Sequence, residues 1–195
     1  MSSPEADALD RADMARLAAG HDAALNSLME RHATALFHFL CRMLGNEDDA
    51  NDLAQETFAR VFAHRARFRP EAKFSTWLFT IAANLARTQL RQRHRRPNVS
   101  LDAESDATAQ TLGDRLASEQ PSPDDGLLAD ERAAAVRAVL ARLPEEMRKT
   151  ILLVEFEDKS VAETAAILEV PHKTVESRLH RARQLLRERL AKWLR

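Results

Sequence analysis

The fold is indicated most clearly by the stretch Ser160-Val-Ala-Glu-Thr-Ala-Ala-Ile-Leu-Glu-Val-Pro-His-Lys-Thr-Val-Glu-Ser-Arg-Leu-His-Arg-Ala-Arg183. Ser160 and Glu163 have the spacing of a capping box, in which the two side chains satisfy free backbone N–H groups at the start of a helix. The short helix that follows ends at a tight break before Pro171, and a second helix begins at about His172. This order of elements predicts a helix-turn-helix.

The second helix of this pair has one apolar side and one polar side. Its inward positions recur at spacings of four, three and four: Val175, Leu179, Ala182 and Leu186. Its outward positions are Lys173, Thr174, Glu176, Ser177, Arg178, His180 and Arg181. Arg and Lys can donate to guanine or phosphate, Ser and Thr can read either base edge, and Glu176 can accept from the cytosine amino group. A basic amphipathic helix alone is more often a solvated face, but the capped helix and proline-containing turn before it favour entry into a DNA major groove.

The composition favours helix along the whole chain. The chain has 195 residues, of which 45% are apolar, with four glycines and no tyrosine. Ala, Leu, Arg and Glu are abundant, and these residues are stronger helix formers than strand formers. We therefore expect an all-α protein with room for one large domain or two small ones.

The net charge of −1 hides a segregation of charges along the chain. Residues 60–96 contain ten Lys or Arg and one acid, and residues 173–195 contain eight bases and two acids. Residues 102–131, between these blocks, contain nine acids and one arginine. Two basic blocks suited to phosphate contacts are thus separated by an acidic stretch. Residues 97–126 have few apolar side chains, which predicts a flexible acidic linker.

Two amphipathic helices are predicted in the first part of the chain. One runs from Asp22, a candidate N-cap, to Gly45, and the next runs from about Glu47 to Ala66. The second of these helices carries carboxylates aligned on its exposed side: Asp49, Asp52 and Glu56.

A third helix is expected from Thr76 to about His94, after a break at Pro70 and with Ser75 as its N-cap. Its apolar positions Leu78, Ile81 and Leu85 point inward. Its other side carries Thr80, Asn84, Arg87, Arg91, His94 and Arg95. A cationic stripe of this kind can follow a nucleic-acid strand.

Three ordered motifs resemble extracytoplasmic-function sigma factors, which are small members of the sigma-70 family. They are Asp49-Ala-Asn-Asp-Leu-Ala-Gln-Glu-Thr-Phe58, Phe74-Ser-Thr-Trp-Leu-Phe-Thr-Ile-Ala-Ala-Asn84 and Val170-Pro-His-Lys-Thr-Val-Glu-Ser-Arg-Leu-His-Arg-Ala-Arg183. The motifs and their flanks cover most of the chain outside the linker and the first few residues. The resemblance implies an N-terminal segment with a short helix (1–20), sigma domain 2 for the −10 element (21–96), the linker (97–126) and sigma domain 4 for the −35 element (127–195).

The resemblance also implies a surface for core RNA polymerase on the helix of the first motif, which in the family docks on the β′ clamp helices. The residues are Asp49, Asp52, Leu53, Gln55, Glu56 and Phe58. Without the resemblance, a solvated acidic helix face is the simpler interpretation. A metal site is a third interpretation, but nothing fixes a closed set of ligands, so no metal or other cofactor is expected.

The second motif resembles the part of the family that melts the −10 element and holds an unstacked base. The residues implied are Arg69, Lys73, Phe74, Trp77, Asn84, Arg87 and Arg91. Binding of a single strand needs positive charge and aromatic stacking together. Phe74 and Trp77 are equally consistent with packing in the core. The outward row of the last helix is implied to read the −35 duplex, and domain 4 to contact the β flap of the polymerase.

The chain departs from the family pattern at two positions of the third motif. Many relatives have glycine where Glu169 stands, and this position often requires a positive φ, so we expect a strained or differently shaped turn. Relatives also often have a basic residue where Glu176 stands, and a carboxylate there favours a cytosine amino group over a phosphate.

The resemblance implies a non-catalytic specificity subunit that acts with core polymerase on promoter DNA, with no small-molecule substrate, and is held inactive by an anti-sigma factor until a stress signal. The alternative is a stand-alone helix-turn-helix regulator that binds a palindrome as a dimer. A metal-dependent enzyme that uses Asp48, Asp49, Asp52 and Glu56 is a further alternative.

A cytoplasmic location is expected from three features. The single cysteine, Cys41, lies in an apolar helical pattern, so we expect a core thiol without an internal disulfide. The first residues alternate acids with alanines and lack a secretion signal, and no segment has the roughly twenty apolar residues that span a bilayer.

Overall fold

The computed structural model of the chain describes residues 4–95 and 123–191, and in these residues the fold is all-α, as expected. The eight helices of this part of the chain are α1 (Pro4–Ala18), α2 (Ala24–Leu44), α3 (Glu47–Ala63), α4 (Phe74–Arg95), α5 (Pro123–Ala141), α6 (Glu145–Ile151), α7 (Val161–Leu168) and α8 (His172–Leu190). A 3-10 turn, Arg65–Arg67, follows α3, and a π-helical turn, Leu152–Phe156, extends α6. Most of the expected linker, residues 97–122, lies outside the described residues.

Helices α2 and α3 form the centre of the first unit, and their junction explains where each begins and ends. Gly45 adopts the left-handed conformation and its N–H donates to the Cys41 carbonyl, so α2 ends where glycine predicted its end. Asn46 then caps α3, because its side chain accepts from the Asp49 N–H at 2.8 Å. Cys41 is half-buried against the core, and burial raises the pKa of its thiol to about 11.

Three helix boundaries differ from the expected ones. Asp22 is not the N-cap of α2, because Ala23 takes that place in helical geometry and without a side-chain hydrogen bond. Helix α3 ends at Ala63, three residues earlier than expected, and the chain tightens into the 3-10 turn. Helix α5 begins at Pro123, inside the range expected for the linker, since proline is favoured in the first helical turn.

Ser75 was expected to cap α4, and this prediction was wrong. The helix begins at Phe74, and Ser75 lies in its first turn, only 2% exposed. The Ser75 hydroxyl accepts a hydrogen bond from the Lys159 ammonium at 3.0 Å, so it serves a residue 84 positions away instead of its own helix end.

Helix α1 is fixed to α2 by buried carboxylates that the sequence pattern did not reveal. Arg31 donates to Asp10 at 2.8 Å and to Asp13 at 2.6 Å, and His32 Nε2 lies 2.7 Å from the second Asp10 oxygen. Burial alone would raise the pKa of Asp10, but His32 and Arg31 outweigh it and lower the pKa. A buried charge is tolerated when it is paired in this way.

The second unit contains the predicted helix-turn-helix in α7 and α8. The capping box is present: the Ser160 hydroxyl accepts from the Glu163 N–H at 3.1 Å, and the Ser160 N–H donates to Glu163 Oε2 at 2.9 Å. Glu169 ends α7 in the left-handed conformation, with φ of 54°. Of the four inward positions expected on α8, Val175, Leu179 and Ala182 are buried and Leu186 is half-buried.

The two units, which were expected to be separate modules, pack against each other. Helix α7 contacts α4, and α2 contacts α5, α6 and the π-helical turn. Arg148 of α6 donates to the Met43 carbonyl near the end of α2 at 2.8 Å, where that carbonyl has no partner within the helix. Most buried apolar residues of both units belong to one core.

We expect Glu169→Gly to stabilise the protein by about 0.5–1 kcal/mol. A residue other than glycine in the left-handed region destabilises the folded state by about 1–2 kcal/mol. Glycine removes this strain, but it loses more conformational entropy on folding, which offsets part of the gain. Urea denaturation measures the difference. Ala166→Gly is the matched control, because this exposed residue lies inside α7 and its loss should destabilise by about 1 kcal/mol. Equal destabilisation by both changes would contradict the strain at Glu169.

We expect the protein to gain stability at mildly acidic pH through Glu157, which lies 3.5 Å from Arg42 with its side chain 6% exposed. Burial raises the pKa of Glu157 from 4.5 to about 7, against the opposing charges of Arg42 and Lys159. The folded state therefore holds this proton more tightly than the unfolded state between pH 4.5 and 7. The resulting stabilisation is complete below pH 4.5 and is lost as the pH rises through 7.

Thermal or urea unfolding at several pH values tests this expectation. Relative to Glu157→Gln, the wild type should gain about 2 kcal/mol between pH 8 and pH 5. The glutamine variant keeps the shape of the side chain without the titration. Parallel pH profiles for the two proteins would show that Glu157 does not titrate in this range.

Candidate nucleic-acid interface

The outward row of α8 is accessible on the second unit. Lys173, Glu176, Ser177, His180 and Arg181 are exposed, and Thr174 is half-buried. The Ser177 hydroxyl donates to the Thr174 carbonyl at 3.0 Å. The row therefore offers cationic and hydroxyl groups to solvent from one face of the second helix of a helix-turn-helix, the geometry that suits entry into a major groove.

Arg178 differs from the rest of this row because it is held by α6. It lies 2.9 Å from Glu146, which also accepts a hydrogen bond from Lys149 at 2.6 Å. Burial alone would raise the pKa of Glu146, but Lys149, Arg178 and also Arg87 of α4 outweigh it and lower the pKa. Arg178 thus joins α8 to α6 in this conformation instead of extending into solvent.

The polar side of α4 is partly used by contacts within the chain. Arg87 and Arg91 are exposed, and Arg87 donates to the Asn84 side chain at 2.9 Å. Thr80 donates to the Thr76 carbonyl at 2.8 Å. The exposed guanidinium groups are spaced along one side of the helix, as a surface for a phosphate backbone requires.

The two aromatic candidates of this region have different surroundings. Phe74 is 1% exposed and packs against His32, Phe68 and Trp77, so it is part of the core. Trp77 is half-buried, and its ring centroid lies 5.5 Å from that of Phe68, which is also half-buried. Of Phe74 and Trp77, only Trp77 is partly accessible to solvent.

Lys73 connects three parts of the chain. Its ammonium lies 2.9 Å from Glu163 of α7 and 3.4 Å from Asp7 of α1. The hydrogen bond with Glu163 raises the pKa of Lys73, so the ammonium remains charged over the physiological range. Arg69, in the preceding loop, is exposed.

The acidic side of α3 is exposed in the part that faces away from α4. Asp52, Gln55 and Glu56 are exposed, and Glu56 pairs with Arg60 one turn along at 2.7 Å. Asp49 instead faces α4, where it pairs with Arg93 and accepts from Gln89 at 3.3 Å. Of the two apolar candidates of this helix, Leu53 is half-buried and Phe58 lies in the core.

The carboxylates of α3 do not converge on a metal position. Within residues 4–95 and 123–191, no group of three or more His, Cys, Asp or Glu side chains is arranged to hold a metal ion. In the same ranges, no helix is both long and apolar enough to cross a membrane. The surfaces described above comprise two cationic faces, on α8 and α4, and one anionic face, on α3.

Family comparisons match both units of the chain. The family described as Sigma-70 region 2 matches residues 28–96, and the family described as Sigma-70, region 4 matches residues 133–186. The first range contains α3 and α4, and the second contains the helix-turn-helix.

Individual proteins are similar over most of their length. The ECF RNA polymerase sigma factor SigW of Bacillus subtilis is 32% identical, with 88% of this chain and 91% of the relative aligned. The RNA polymerase sigma-H factor of Pseudomonas aeruginosa is 33% identical, with 92% and 93% aligned.

Solved structures share the fold. CnrH in complex with the cytosolic domain of CnrY superposes with a TM-score of 0.70 at 28% identity, covering 94% of this chain and 98% of the other. The sigma factor RpoE of Bartonella quintana, in complex with the anti-sigma factor NepR, superposes with a TM-score of 0.66 at 25% identity, covering 87% and 98%.

Proposed function

The chain belongs to the extracytoplasmic-function group of RNA polymerase sigma factors, and on this premise we propose which of its surfaces bind the promoter and which bind the polymerase. It is an alternative sigma factor that binds core polymerase and directs initiation at specific promoters. The observation that carries the proposal is the exposed row of α8, presented by a capped helix-turn-helix on the unit that follows the region 2 match.

We propose that sigma domain 4, residues 127–195, reads the −35 duplex through this row. Lys173, Ser177, His180 and Arg181 are exposed and free to meet base edges or phosphates. Glu176, exposed beside them, would accept from a cytosine amino group. Arg178 would join the row only after leaving Glu146, and Thr174 would contribute from the edge of the row.

We propose that sigma domain 2, residues 21–96, binds the melted −10 strand and the polymerase on two different helices. Lys73, Arg87 and Arg91 of the α4 region would contact the strand backbone, together with Arg69 and Asn84, and Trp77 would stack on a base. Asp52, Gln55 and Glu56 on α3 would dock on a cationic polymerase surface at the β′ clamp helices. Leu53, Phe58, Phe74 and Asp49 would support these surfaces from within.

The chain is proposed to act in the cytoplasm as a non-catalytic subunit, with the polymerase performing the chemistry. One structural relative was solved with the cytosolic domain of CnrY and another with the anti-sigma factor NepR, which supports an anti-sigma factor as a partner of this chain. A stand-alone regulator is less well supported, because such a protein needs no region 2 unit. Transcription with and without core polymerase separates the two functions.

We expect the double change Asp52→Arg and Glu56→Arg to abolish polymerase binding. Two reversed charges on the docking helix would repel a cationic partner surface, and like charges placed together at an interface cost several kcal/mol. Pull-down with core polymerase and transcription from a cognate promoter measure the effect. The control is Asp22→Arg with Glu30→Arg, which reverses two exposed acids near the start of α2. Retained binding by the first variant would contradict the docking surface.

We expect Arg181→Ala to weaken binding to the −35 duplex by about 1–3 kcal/mol, the range for loss of one arginine contact to a base. Arg187→Ala is the matched control, because it removes an exposed arginine from the same helix beyond the proposed reading row. Electrophoretic mobility shift with holoenzyme at fixed salt compares the two. If both changes weaken binding equally across all sequences, Arg181 contacts phosphate and does not read a base.

A further inference from the structure

Three aromatic rings form a cluster where the chain enters α4. Phe68 precedes the helix, and Phe74 and Trp77 belong to its first turn. The ring centroids are 5.5 Å apart for Phe68 and Trp77, 6.3 Å for Phe68 and Phe74, and 6.4 Å for Phe74 and Trp77. Ring pairs at such separations attract each other. Phe74 is buried, whereas Phe68 and Trp77 are half-buried, so Phe74 is the buried ring that contacts both partly accessible ones.

A fourth ring, that of His32 in α2, packs against the buried member of this aromatic cluster. The centroids of His32 and Phe74 are 5.1 Å apart, closer than Phe74 lies to Phe68 or to Trp77, and the two ring planes are inclined by 59°. Protein interiors are close-packed, so a ring that moves displaces its neighbours. A change at His32 is therefore transmitted to Phe74 and, through it, to Trp77.

Asp10 of α1 fixes the orientation of the His32 ring. One oxygen of this carboxylate lies 2.7 Å from His32 Nε2, and the other accepts from the Arg31 guanidinium at 2.8 Å. The Asp10 side chain is only 2% exposed. A charged carboxylate can only accept, so His32 Nε2 is the donor. The ring cannot turn without breaking a charge-assisted hydrogen bond inside the protein.

Helix α1 also reaches the residue immediately before Phe74. Asp7, one turn before Asp10, lies 3.4 Å from the Lys73 ammonium. Helix α1 contacts α4 and the 3-10 turn as well as α2. Two carboxylates on one side of α1 thus hold the entrance of α4 at adjacent positions, one directly and one through the His32 ring.

We propose that His32 is a positioning residue for base capture, which acts on Trp77 through Phe74. Asp10 fixes the His32 ring, and this ring fixes the buried member of the aromatic cluster. The accessible part of Trp77 is thereby held in one place for an unstacked base of the −10 strand. This inference rests on the proposed function, because it assigns a supporting residue to the same −10 site.

The same interface between α1 and α2 provides a control for simple fastening of α1. Asp13 pairs with Arg31 at 2.6 Å and with Arg16 at 3.2 Å. Among the described residues, these ion pairs join α1 to α2 and to itself. Loss of the Asp13 charge therefore loosens α1 but leaves Asp10 and the His32 ring in contact. Loss of the His32 ring acts on the aromatic cluster directly.

The test uses holoenzyme assembled from core polymerase and the full-length chain, with two fluorescein-labelled forms of a cognate promoter. One form has a preformed unpaired bubble at the −10 element, and the other is fully paired and is bound in the cold, where it stays duplex. His32→Ala removes the ring that contacts Phe74. His32→Phe restores a ring without the hydrogen bond to Asp10. Asp13→Asn is the matched control.

We expect His32→Ala to bind the bubble promoter about three- to tenfold more weakly than the wild type, because a displaced Trp77 loses part of the stacking on one base. His32→Phe and Asp13→Asn should stay within about twofold, since each keeps a ring against Phe74. Binding of the paired promoter should change by less than about twofold in all three variants, because a duplex offers no unstacked base. Fluorescence anisotropy measures both affinities.

A double-mutant cycle shows whether His32 acts through Trp77. His32→Ala combined with Trp77→Ala should bind the bubble no more weakly than Trp77→Ala alone, because the positioning residue has no effect once the positioned ring is absent. If the two losses multiply, His32 acts elsewhere and the inference is wrong. If Asp13→Asn weakens bubble binding as much as His32→Ala, the effect comes from fastening α1, and the inference is wrong as well.

Failure of the inference differs from failure of the proposed function. If the wild type initiates transcription and Trp77→Ala weakens bubble binding while His32→Ala matches the wild type, the positioning role is wrong and the proposed function stands. If Trp77→Ala binds the bubble as the wild type does, or the wild type neither binds polymerase nor initiates, the proposed function fails and the inference fails with it.

A second variant decides the matter if His32→Ala does not fold, as judged by circular dichroism. Asp10→Asn keeps the His32 ring but removes the charge that orients it. It should weaken bubble binding by about twofold or more relative to Asp13→Asn, because a charge-assisted hydrogen bond is stronger than a neutral one. Equal affinities of these two variants for the bubble would overturn the inference.

Discussion

The two oxygens of the Glu163 carboxylate perform different tasks, and much of the architecture depends on them. One oxygen completes the capping box that starts α7, and the other meets Lys73 of the first unit. The residue that caps the first helix of the helix-turn-helix therefore also contributes an ion pair to the packing of that motif beside α4. Helix capping and the packing of the two units are coupled through one side chain. The hydrogen bonds from Ser160 fix the orientation of the charged carboxylate, and its other oxygen can then pair with Lys73.

The separation of charge along the chain does not persist in space. The sequence contains two basic blocks divided by an acidic stretch, which predicted two independent cationic modules. In the folded chain, Lys73 of the first block pairs with Asp7 of α1 and with Glu163 of the second unit, and Arg93 pairs with Asp49; all three acids lie outside the acidic stretch. Counting charges by segment reveals which surfaces suit a polyanion. It cannot reveal which of these surfaces the protein covers with its own carboxylates.

Local sequence signals predicted helix ends and turns well, but they did not predict hydrogen-bond partners that are far apart in sequence. The capping box at Ser160, the end of α2 at Gly45 and the positive φ at Glu169 each depend on residues within one or two turns. Ser75 has an equally good capping signal, yet it is used by Lys159, and Asp10 is buried only because Arg31 and His32 come from another helix. Helix propensity depends on residues close in sequence, whereas the partners of a buried polar side chain are determined by tertiary packing between residues far apart in sequence.

The packing of the two units leaves one proposed interaction surface of the first unit accessible and engages the other. Asp52, Gln55 and Glu56 on α3 are exposed, so a polymerase surface can approach them while the units are together. The α4 region is engaged through Lys73 and Ser75. The side chains proposed to dock on the polymerase therefore need no rearrangement to be reached, whereas Lys73 must exchange Glu163 and Asp7 for any other anion.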